Sequence, residues 1–279
     1  MTELISSFED MKGLLNQVKQ SDDCCPIHHN ERLVSFKEFT PFCQSCKKEA
    51  INAESEKLSK EAYKAHQLRV TTEVLAKDSI LYDETIAKAT FKNYLYKNGS
   101  EEEAVRDKAV DLGQRYLQGE IFNSLFSGEP GAGKSHLAMA ILNVLNSTME
   151  NPVSCLFISF EEVLSLIRDS FNNPRSKYTE MNMIDLMGSV DYLVLDDVGS
   201  ESGRLKRTDN NQVYATDFTV KVLKRTLERR QDKVTIITTN LSRHEMETLY
   251  DKRVTSRIYR NIGGNIIKFT GIKDKRISG

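Results

Sequence analysis

Residues 128–135 of this 279-residue sequence, Gly-Glu-Pro-Gly-Ala-Gly-Lys-Ser, decide the fold. They match the pattern G-x-x-x-x-G-K-[ST], follow an apolar segment and precede a helical pattern of Leu137, Ile141, Leu142 and Leu145. In that context glycines let successive backbone N–H groups face a phosphate, and the helix N-terminus adds its positive dipole. The stretch therefore predicts a phosphate-binding loop rather than a glycine-rich turn that happens to contain Lys-Ser.

The loop implies ATP as ligand, with Mg²⁺ as its counterion. Lys134 is expected to reach the β- and γ-phosphates, and the hydroxyl of Ser135 is expected to ligate Mg²⁺. The residues expected to contact the nucleotide are Gly128, Glu129, Pro130, Gly131, Ala132, Gly133, Lys134, Ser135 and His136.

Two further apolar segments end in polar side chains. Tyr192–Leu195 is followed by Asp196, suited to hold Mg²⁺, and Asp197, suited to orient or deprotonate an attacking water. Residues 236–240, Ile-Ile-Thr-Thr-Asn, place Asn240 where it can bond that water or the γ-phosphate. The alternatives are an aspartate pair that caps a turn and a Thr-Asn turn. Lys134, Asp196, Asp197 and Asn240 are the catalytic candidates of this region.

Short β-branched segments alternate with helical patterns after about residue 90. The predicted strands are 121–127, 153–160, 192–195 and 234–239, and the predicted helices are 135–146, 161–170 and 216–230. Such alternation predicts an α/β fold with a parallel sheet between helices.

The composition is that of an ordinary globular protein, with 39% apolar and 28% charged residues and a net charge of −1. Nucleic-acid binding would therefore need a local basic patch. The candidate residues, each of which could equally belong to a solvated basic surface, are Arg204, Lys206, Arg207, Lys221, Lys224, Arg225, Arg229 and Arg230.

No apolar run reaches the roughly 18 residues of a membrane span, and no signal peptide is recognisable, so we expect a cytoplasmic protein without membrane contact.

Four of the five cysteines lie within residues 24–46. Cys25-Pro-Ile-His28 and Cys43-Gln-Ser-Cys46 form C-x2-H and C-x2-C, with fourteen residues between the pairs. Two short-spaced ligand pairs suit a closed, structural Zn²⁺ site with three thiolates and one imidazole. Cys24 or His29 could replace a neighbouring ligand, and free thiols in a small loop are the alternative.

The sequence divides into three zones. Residues 1–48 are expected to form the zinc-binding domain, 49–87 a linker helix, and 88–279 the ATPase domain. Apolar residues at helical spacing predict an amphipathic helix over residues 1–20. The Glu-, Lys- and Ala-rich segment from Lys47 to Lys77 predicts a largely solvated helix.

These motifs, in this order, resemble the AAA+ superfamily of P-loop ATPases, and within it the DnaC/DnaI-type helicase loaders and the IstB-like ATPases. Asp-Asp-Val-Gly at 196–199 resembles their strand-end aspartate motif, and Ala89–Tyr94 resembles the start of their ATPase core. Residues 251–258 resemble their Arg-x-x-x-Arg segment. That likeness makes Arg257 the arginine finger acting on a neighbouring subunit and Arg253 its support, unless both belong to a solvated basic helix face. Residues 269–276 resemble the sensor II segment, with Arg276 chosen over Lys275.

The resemblance implies an ATPase that loads a DnaB-type replicative helicase onto single-stranded DNA. It also implies that the N-terminal zinc domain contacts the helicase and that subunits self-associate when ATP binds. Two alternatives are an IstB-like ATPase that assists a transposase on duplex DNA, and an adaptor that binds ATP but barely hydrolyses it. The second depends on Asp197, which is shorter than the glutamate common at this position.

Overall fold

The computed structural model describes residues 18–37, 39–148, 151–173, 175–201, 206–207, 213–272 and 274–275. The chain forms two compact units, Met1–Gln67 and Leu68–Gly279. The segment expected as a linker, residues 49–87, is therefore divided between the units, and its Val74 and Leu75 are buried in the second. None of the helices in the described ranges combines the length and apolarity needed to cross a membrane.

The first unit contains a two-stranded antiparallel sheet and most of a long helix. The strands are β1 (Val18–Cys24) and β2 (Arg32–Phe36), and the helix is α1 (Gln44–Val70). No residue of α1 is buried, which confirms the prediction of a solvated helix over most of the Lys47–Lys77 segment. Spaced charges such as Lys60 and Glu56, four residues apart, suit a helix that water surrounds.

The helix predicted over residues 1–20 is wrong at its end. Residues 1–17 lie outside the described residues, but Val18, Lys19 and Gln20 belong to β1 and pair with β2. Backbone pairing with a neighbouring strand here overrides a helical spacing of apolar residues, because that spacing is only a weak prior for structure.

The second unit alternates helices and strands. In chain order these are α2 (Thr72–Asp78), a 3₁₀ turn (Glu84–Lys88), α3 (Glu101–Leu117), β3 (Ser124–Gly128), α4 (Lys134–Thr148), β4 (Cys155–Ser159), α5 (Phe160–Ser170), α6 (Glu180–Ser189), β5 (Tyr192–Asp196), β6 (Lys206–Arg207), β7 (Val213–Tyr214), α7 (Asp217–Glu228), β8 (Val234–Thr239), α8 (Arg243–Ile258) and β9 (Ile266–Phe269).

Five of these strands form one sheet in the order β4-β5-β8-β3-β9. All neighbouring strands in it are parallel, which confirms the prediction of a parallel sheet. Helices cover both faces, and alternate strand residues point to each. In β5, Leu193 and Leu195 pack with α5, α6, α7 and α8, whereas Tyr192 and Val194 pack with α3 and α4. Burial on both faces explains why β5 is an uninterrupted apolar run.

The sheet topology positions the functional residues. Because all five strands are parallel, β3, β5 and β8 end at the same edge of the sheet, and their last residues are Gly128, Asp196 and Thr239. The phosphate loop, the aspartate pair and Asn240 follow from these ends. Ligands bind at this edge in open parallel sheets.

Candidate nucleotide and metal sites

The phosphate loop needs its glycines. Gly128, Gly131 and Gly133 have φ angles of 144°, 73° and 91°, which L side chains rarely adopt. A Cβ on Gly128 would lie 2.2 Å from the carbonyl oxygen of Phe269, and one on Gly133 would lie 2.5 Å from the ring of Tyr94. The loop therefore packs tightly against β9 and against the segment before α3, and α4 begins at Lys134.

The ammonium of Lys134 joins the loop to the end of β8. Its Nζ donates to the carbonyls of Gly128 at 2.9 Å and Glu129 at 2.7 Å, and to Oδ1 of Asn240 at 2.7 Å. Lys134 is only 6% exposed. Three oxygens therefore hold the Lys134 ammonium beside the loop, where a phosphate can approach it.

Asp196 is a buried carboxylate at the end of β5. Its Oδ1 accepts a hydrogen bond from Thr238 Oγ1 at 2.6 Å, and Ser135 also bonds its carboxylate. Burial raises the pKa of Asp196 to about 6, and the hydrogen bonds from Thr238 and Ser135 act against that rise. The hydroxyl and carboxylate expected to hold Mg²⁺ thus converge, and oxygen donors of this kind fit that ion.

Asp197 has a left-handed backbone, with φ of 57°. Its N–H donates to Thr238 Oγ1 at 2.8 Å, and its Oδ1 accepts from Asn240 Nδ2 at 2.9 Å. Thr238 therefore bonds both aspartates. Its role was not foreseen, although it lies inside the quoted 236–240 stretch.

A cavity of about 670 Å³ opens over these residues. Binding sites for nucleotide-sized molecules typically measure about 300–1,000 Å³. Of the residues predicted to contact nucleotide, six line the cavity, whereas Gly128, Glu129 and Ala132 do not; the six are Pro130, Gly131, Gly133, Lys134, Ser135 and His136. Asp196, Asp197 and Asn240 line it as well.

Residues that the motifs did not identify, such as Tyr82 and Glu161, also line the cavity, together with Tyr94 at the end of the 89–94 segment. Lys275 also lies there, over the ring of Tyr94 at 3.2 Å from its centroid. Its Nζ donates to the carbonyl of Leu95, and burial lowers its pKa to about 8. Arg276, which the sequence analysis chose over Lys275 for the sensor II position, lies outside the described residues.

Arg257 is not among the residues that line the cavity. It lies on α8, where its guanidinium donates to the Glu228 carboxylate at 2.8 Å and to the carbonyl of Arg253 at 2.8 Å. The side chains of Arg257 and Glu228 keep 33% and 38% of their surface exposed. Arg253 is exposed on the same helix.

The predicted basic patch on α7 is largely paired with acidic side chains. Ion pairs join Lys221 and Arg225 to Glu180, Lys224 to Glu228, and Arg229 to Asp185. These pairs reduce the positive field that a phosphate backbone would meet. Arg204 lies outside the described residues, and Lys206 and Arg207 form β6.

For Arg230 the structure fits neither alternative from the sequence, a nucleic-acid contact or a solvated basic surface. Arg230 is 2% exposed, and burial lowers its pKa to about 9. Its guanidinium donates to Thr235 Oγ1 and to the carbonyls of Met187, Val190, Asp191 and Val234. Its five N–H donors thus bond the end of α6, the segment between α6 and β5, and the first two residues of β8.

The four predicted zinc ligands converge in the first unit. Their ligand atoms all lie within 4.8 Å of one another. His28 Nδ1 is 3.3 Å from Cys46 Sγ, 3.6 Å from Cys43 Sγ and 3.9 Å from Cys25 Sγ, and the Cys25 and Cys46 sulfurs are 3.5 Å apart. A tetrahedral zinc ion, with bonds of about 2.3 Å to sulfur and about 2.0 Å to nitrogen, spaces its ligands roughly 3.5–3.8 Å apart. The residues present therefore fit zinc.

Neighbouring groups support this donor set. His28 Nε2 lies 3.1 Å from Glu49 Oε1, so the carboxylate can hold the proton on Nε2 and leave Nδ1 facing the thiols. The backbone N–H of His28 donates to Cys25 Sγ at 3.3 Å. This hydrogen bond is the main cause that lowers the pKa of Cys25 to about 6. Cys24 and His29 are exposed and lie outside the cluster.

A family model described as the ATPase family associated with various cellular activities (AAA) matches residues 124–262. The chain is 30% identical over 184 residues to the uncharacterized protein YdaV of Escherichia coli K12, across 65% of this chain and 66% of that protein. It is 30% identical over 154 residues to the replicative helicase loader DnaC of the same organism, across 54% of this chain and 56% of that protein. The chain thus spans less than two thirds of the length of both relatives.

The crystal structure of the DnaC helicase loader is similar in fold. The match covers 68% of this chain and 100% of the chain in that crystal structure, with a TM-score of 0.50 and 20% sequence identity. At that identity the match shows a common fold, and it agrees with a five-stranded parallel sheet between helices.

Proposed function

We propose that this chain, whose residues 124–262 belong to the AAA ATPase family, is an ATP-hydrolysing loader of a replicative DNA helicase. The observation that carries the loader role is the 30% identity to a protein named as a replicative helicase loader. The convergence of Lys134, Asp196, Asp197 and Asn240 in one cavity supports ATP hydrolysis.

Five residues that line the cavity have a proposed part in the reaction. Bound Mg²⁺-ATP supplies the γ-phosphate that water attacks. Lys134 neutralises charge on the phosphates, Ser135 and Asp196 hold the metal, and Asp197 orients the water and accepts its proton. Asn240 fixes the positions of the Lys134 and Asp197 side chains relative to each other through its two hydrogen bonds.

Arg257 acts from outside its own cavity. Its half-buried position and its ion pair with Glu228 suit a side chain that exchanges this partner for the phosphates of a neighbouring subunit. ATP binding would then assemble subunits on helicase and single-stranded DNA, and hydrolysis would release them.

The zinc-binding unit is the proposed contact with the helicase. Residues 1–48 are too few to build a large core, so the zinc site would supply the folding energy of this surface. In this proposal Cys25, His28, Cys43 and Cys46 hold the ion, and the ATPase domain lies in the second unit, Leu68–Gly279.

Steady-state hydrolysis separates an ATPase from an adaptor. The purified chain is compared with Lys134→Ala and Asp197→Asn, with and without single-stranded DNA. We expect turnover that both substitutions abolish, with ATP binding lost only in Lys134→Ala. Binding of ATP with turnover no faster than that of Asp197→Asn would identify a nucleotide-dependent adaptor.

Complex formation tests the partner. The chain is mixed with a purified DnaB-type helicase and analysed by size-exclusion chromatography with light scattering, before and after zinc chelation. We expect a complex that chelation dissolves. Binding to a transposase in place of the helicase would support the IstB-like alternative, which the named loader relatives do not favour.

A further inference from the structure

A second buried carboxylate lies close to the aspartate pair. Glu201 follows β5 by five residues and is 5% exposed. Its Oε2 accepts a hydrogen bond from the N–H of Gly199 at 2.9 Å, and its Oε1 accepts one from the hydroxyl of Tyr250. Neither Glu201 nor Tyr250 lines the nucleotide cavity, so direct contact with ATP does not explain why this carboxylate is buried.

Glu201 closes the turn that carries Asp197. Ser200 donates from its N–H and from its hydroxyl to the carbonyl of Asp197, at 3.1 and 2.8 Å. Gly199 has φ of 105°, and a Cβ there would lie 2.4 Å from Leu241. The Glu201 carboxylate accepts a hydrogen bond from the Gly199 N–H, so hydrogen bonds within the segment hold the turn from Asp197 to Glu201 together.

Tyr250 fixes this turn to α8. The phenol is 1% exposed, and burial raises its pKa well above the usual value. Burial also raises the pKa of Glu201. A buried phenol that donates to a buried carboxylate satisfies both groups, whereas loss of either leaves the other without this partner.

Asp197 depends on its surroundings for its conformation. A non-glycine residue with φ of 57° is disfavoured unless the structure around it fixes that angle. Small displacements of a catalytic carboxylate reduce the rate because the water it orients moves out of line.

We propose that Glu201 and Tyr250 are positioning residues that hold Asp197 in the orientation needed for ATP hydrolysis. The inference rests on the proposed ATPase activity and adds to it a hydrogen-bonded pair outside the nucleotide cavity. It predicts that the pair affects the hydrolytic step and leaves nucleotide binding unchanged.

The test measures kcat, KM and ATP affinity for Glu201→Ala, Tyr250→Phe and the double variant. Each single substitution is expected to lower kcat about 10- to 100-fold, with ATP affinity within about twofold of wild type, because a misplaced catalytic group costs rate without changing binding. The double variant should be no worse than Glu201→Ala, because Glu201→Ala already removes the hydrogen bond that Tyr250→Phe removes.

Glu201→Gln supplies a graded variant. In this variant one of the two carboxylate oxygens becomes an NH2 group that cannot accept a hydrogen bond, so either Gly199 or Tyr250 loses its acceptor. We therefore expect a kcat between those of wild type and Glu201→Ala. A purely structural role would instead make kcat follow thermal stability across the series.

Tyr116→Phe is the matched control. Tyr116 is also fully buried, and its hydroxyl bonds Ser124 Oγ at 3.1 Å in the core on the other face of the sheet. The Tyr116→Phe variant loses a comparable buried hydroxyl, and its kcat should stay at the wild-type value. If wild type hydrolyses ATP and Tyr250→Phe matches Tyr116→Phe in kcat, the inference is overturned and the ATPase proposal stands.

Absence of ATP hydrolysis by the wild-type protein would refute the ATPase proposal itself. Hydrogen exchange tests the Glu201–Tyr250 pair independently of that outcome. The amide of Gly199 should exchange faster in Tyr250→Phe and in Glu201→Ala than in wild type and Tyr116→Phe. Equal exchange in all four proteins would overturn the inference.

Discussion

The ammonium of Lys134 donates a hydrogen bond to the side-chain oxygen of Asn240, 2.7 Å away. The amide nitrogen of Asn240 donates in turn to Asp197 at 2.9 Å. One amide therefore connects the phosphate loop after β3 with the turn after β5. An amide can do this because its two ends carry an acceptor and a donor.

Replacing Asn240 should separate binding from hydrolysis. In Asn240→Ala, Lys134 keeps its two loop carbonyls but Asp197 loses its donor. We expect kcat to fall about 100-fold, the scale of a misaligned general base, while ATP affinity changes little. Steady-state kinetics with Asn182→Ala, which removes an exposed amide from α6, provide the comparison. Equal kcat values for the two variants would refute the role of Asn240.

The zinc ligand set predicts a stoichiometry. The purified chain should bind one zinc ion, and Cys43→Ser should lose it together with the fold of the first unit. Cys24→Ser and His29→Ala should retain the metal because both residues are exposed and lie outside the cluster. Elemental analysis and far-ultraviolet circular dichroism measure both effects. Zinc loss in Cys24→Ser would show that the ligand set is wrong.

Glu49 should tune zinc affinity through His28. Its carboxylate lies 3.1 Å from Nε2, so Glu49→Gln weakens the hold on the ring and its proton. Loss of such a partner typically costs about 10- to 100-fold in metal affinity, and we expect the lower end because Glu49 is largely exposed. Competition with a chromogenic chelator measures the constant. Glu54→Gln, on the same helix, is the control, and matching affinities of the two variants would exclude this role.

Lys275 predicts a pH dependence of ATP binding. Burial lowers its pKa to about 8, so the ammonium is charged at pH 7 and mostly neutral at pH 9. Since a neutral amine no longer attracts phosphate, ATP affinity should fall by up to about tenfold over this range, in proportion to the charged fraction. Lys275→Arg should flatten the profile, because a guanidinium stays charged. Lys268→Ala, at an exposed position of β9, should leave it unchanged; an unaltered profile in Lys275→Arg would contradict this assignment.

Much of the fold follows from local pattern. The alternation of short β-branched segments with helical patterns was sufficient to predict a parallel sheet, because each segment carries its signal within a few residues. Strand β9 was missed, since four residues at a sheet edge, one of them the exposed Lys268, carry almost no periodicity. The helix that was predicted to extend to residue 20 failed at Val18, where pairing with Phe36 fixes a strand.

The site shows the same division. Motif residues such as Lys134 and Asp196 were identified because their chemistry depends on short spacing. Thr238 and Glu49 act through contacts between distant segments, and only the packed chain brings those segments together. Lys275 was weighed for the sensor II position, but its contact with Tyr94 also depends on the packed chain. Burial was equally invisible for Arg230, which in sequence belongs to a basic helix face and in the structure is 2% exposed.

Helicase loading tests the central claim most directly. The full chain, a DnaB-type helicase and circular single-stranded DNA coated with single-strand-binding protein are combined with ATP. The DNA-bound helicase is then measured by gel filtration and by unwinding of an annealed oligonucleotide. The account predicts loading that needs ATP and this chain, and that fails with Lys134→Ala or with zinc-stripped protein. Helicase that loads equally well with or without the chain would contradict it.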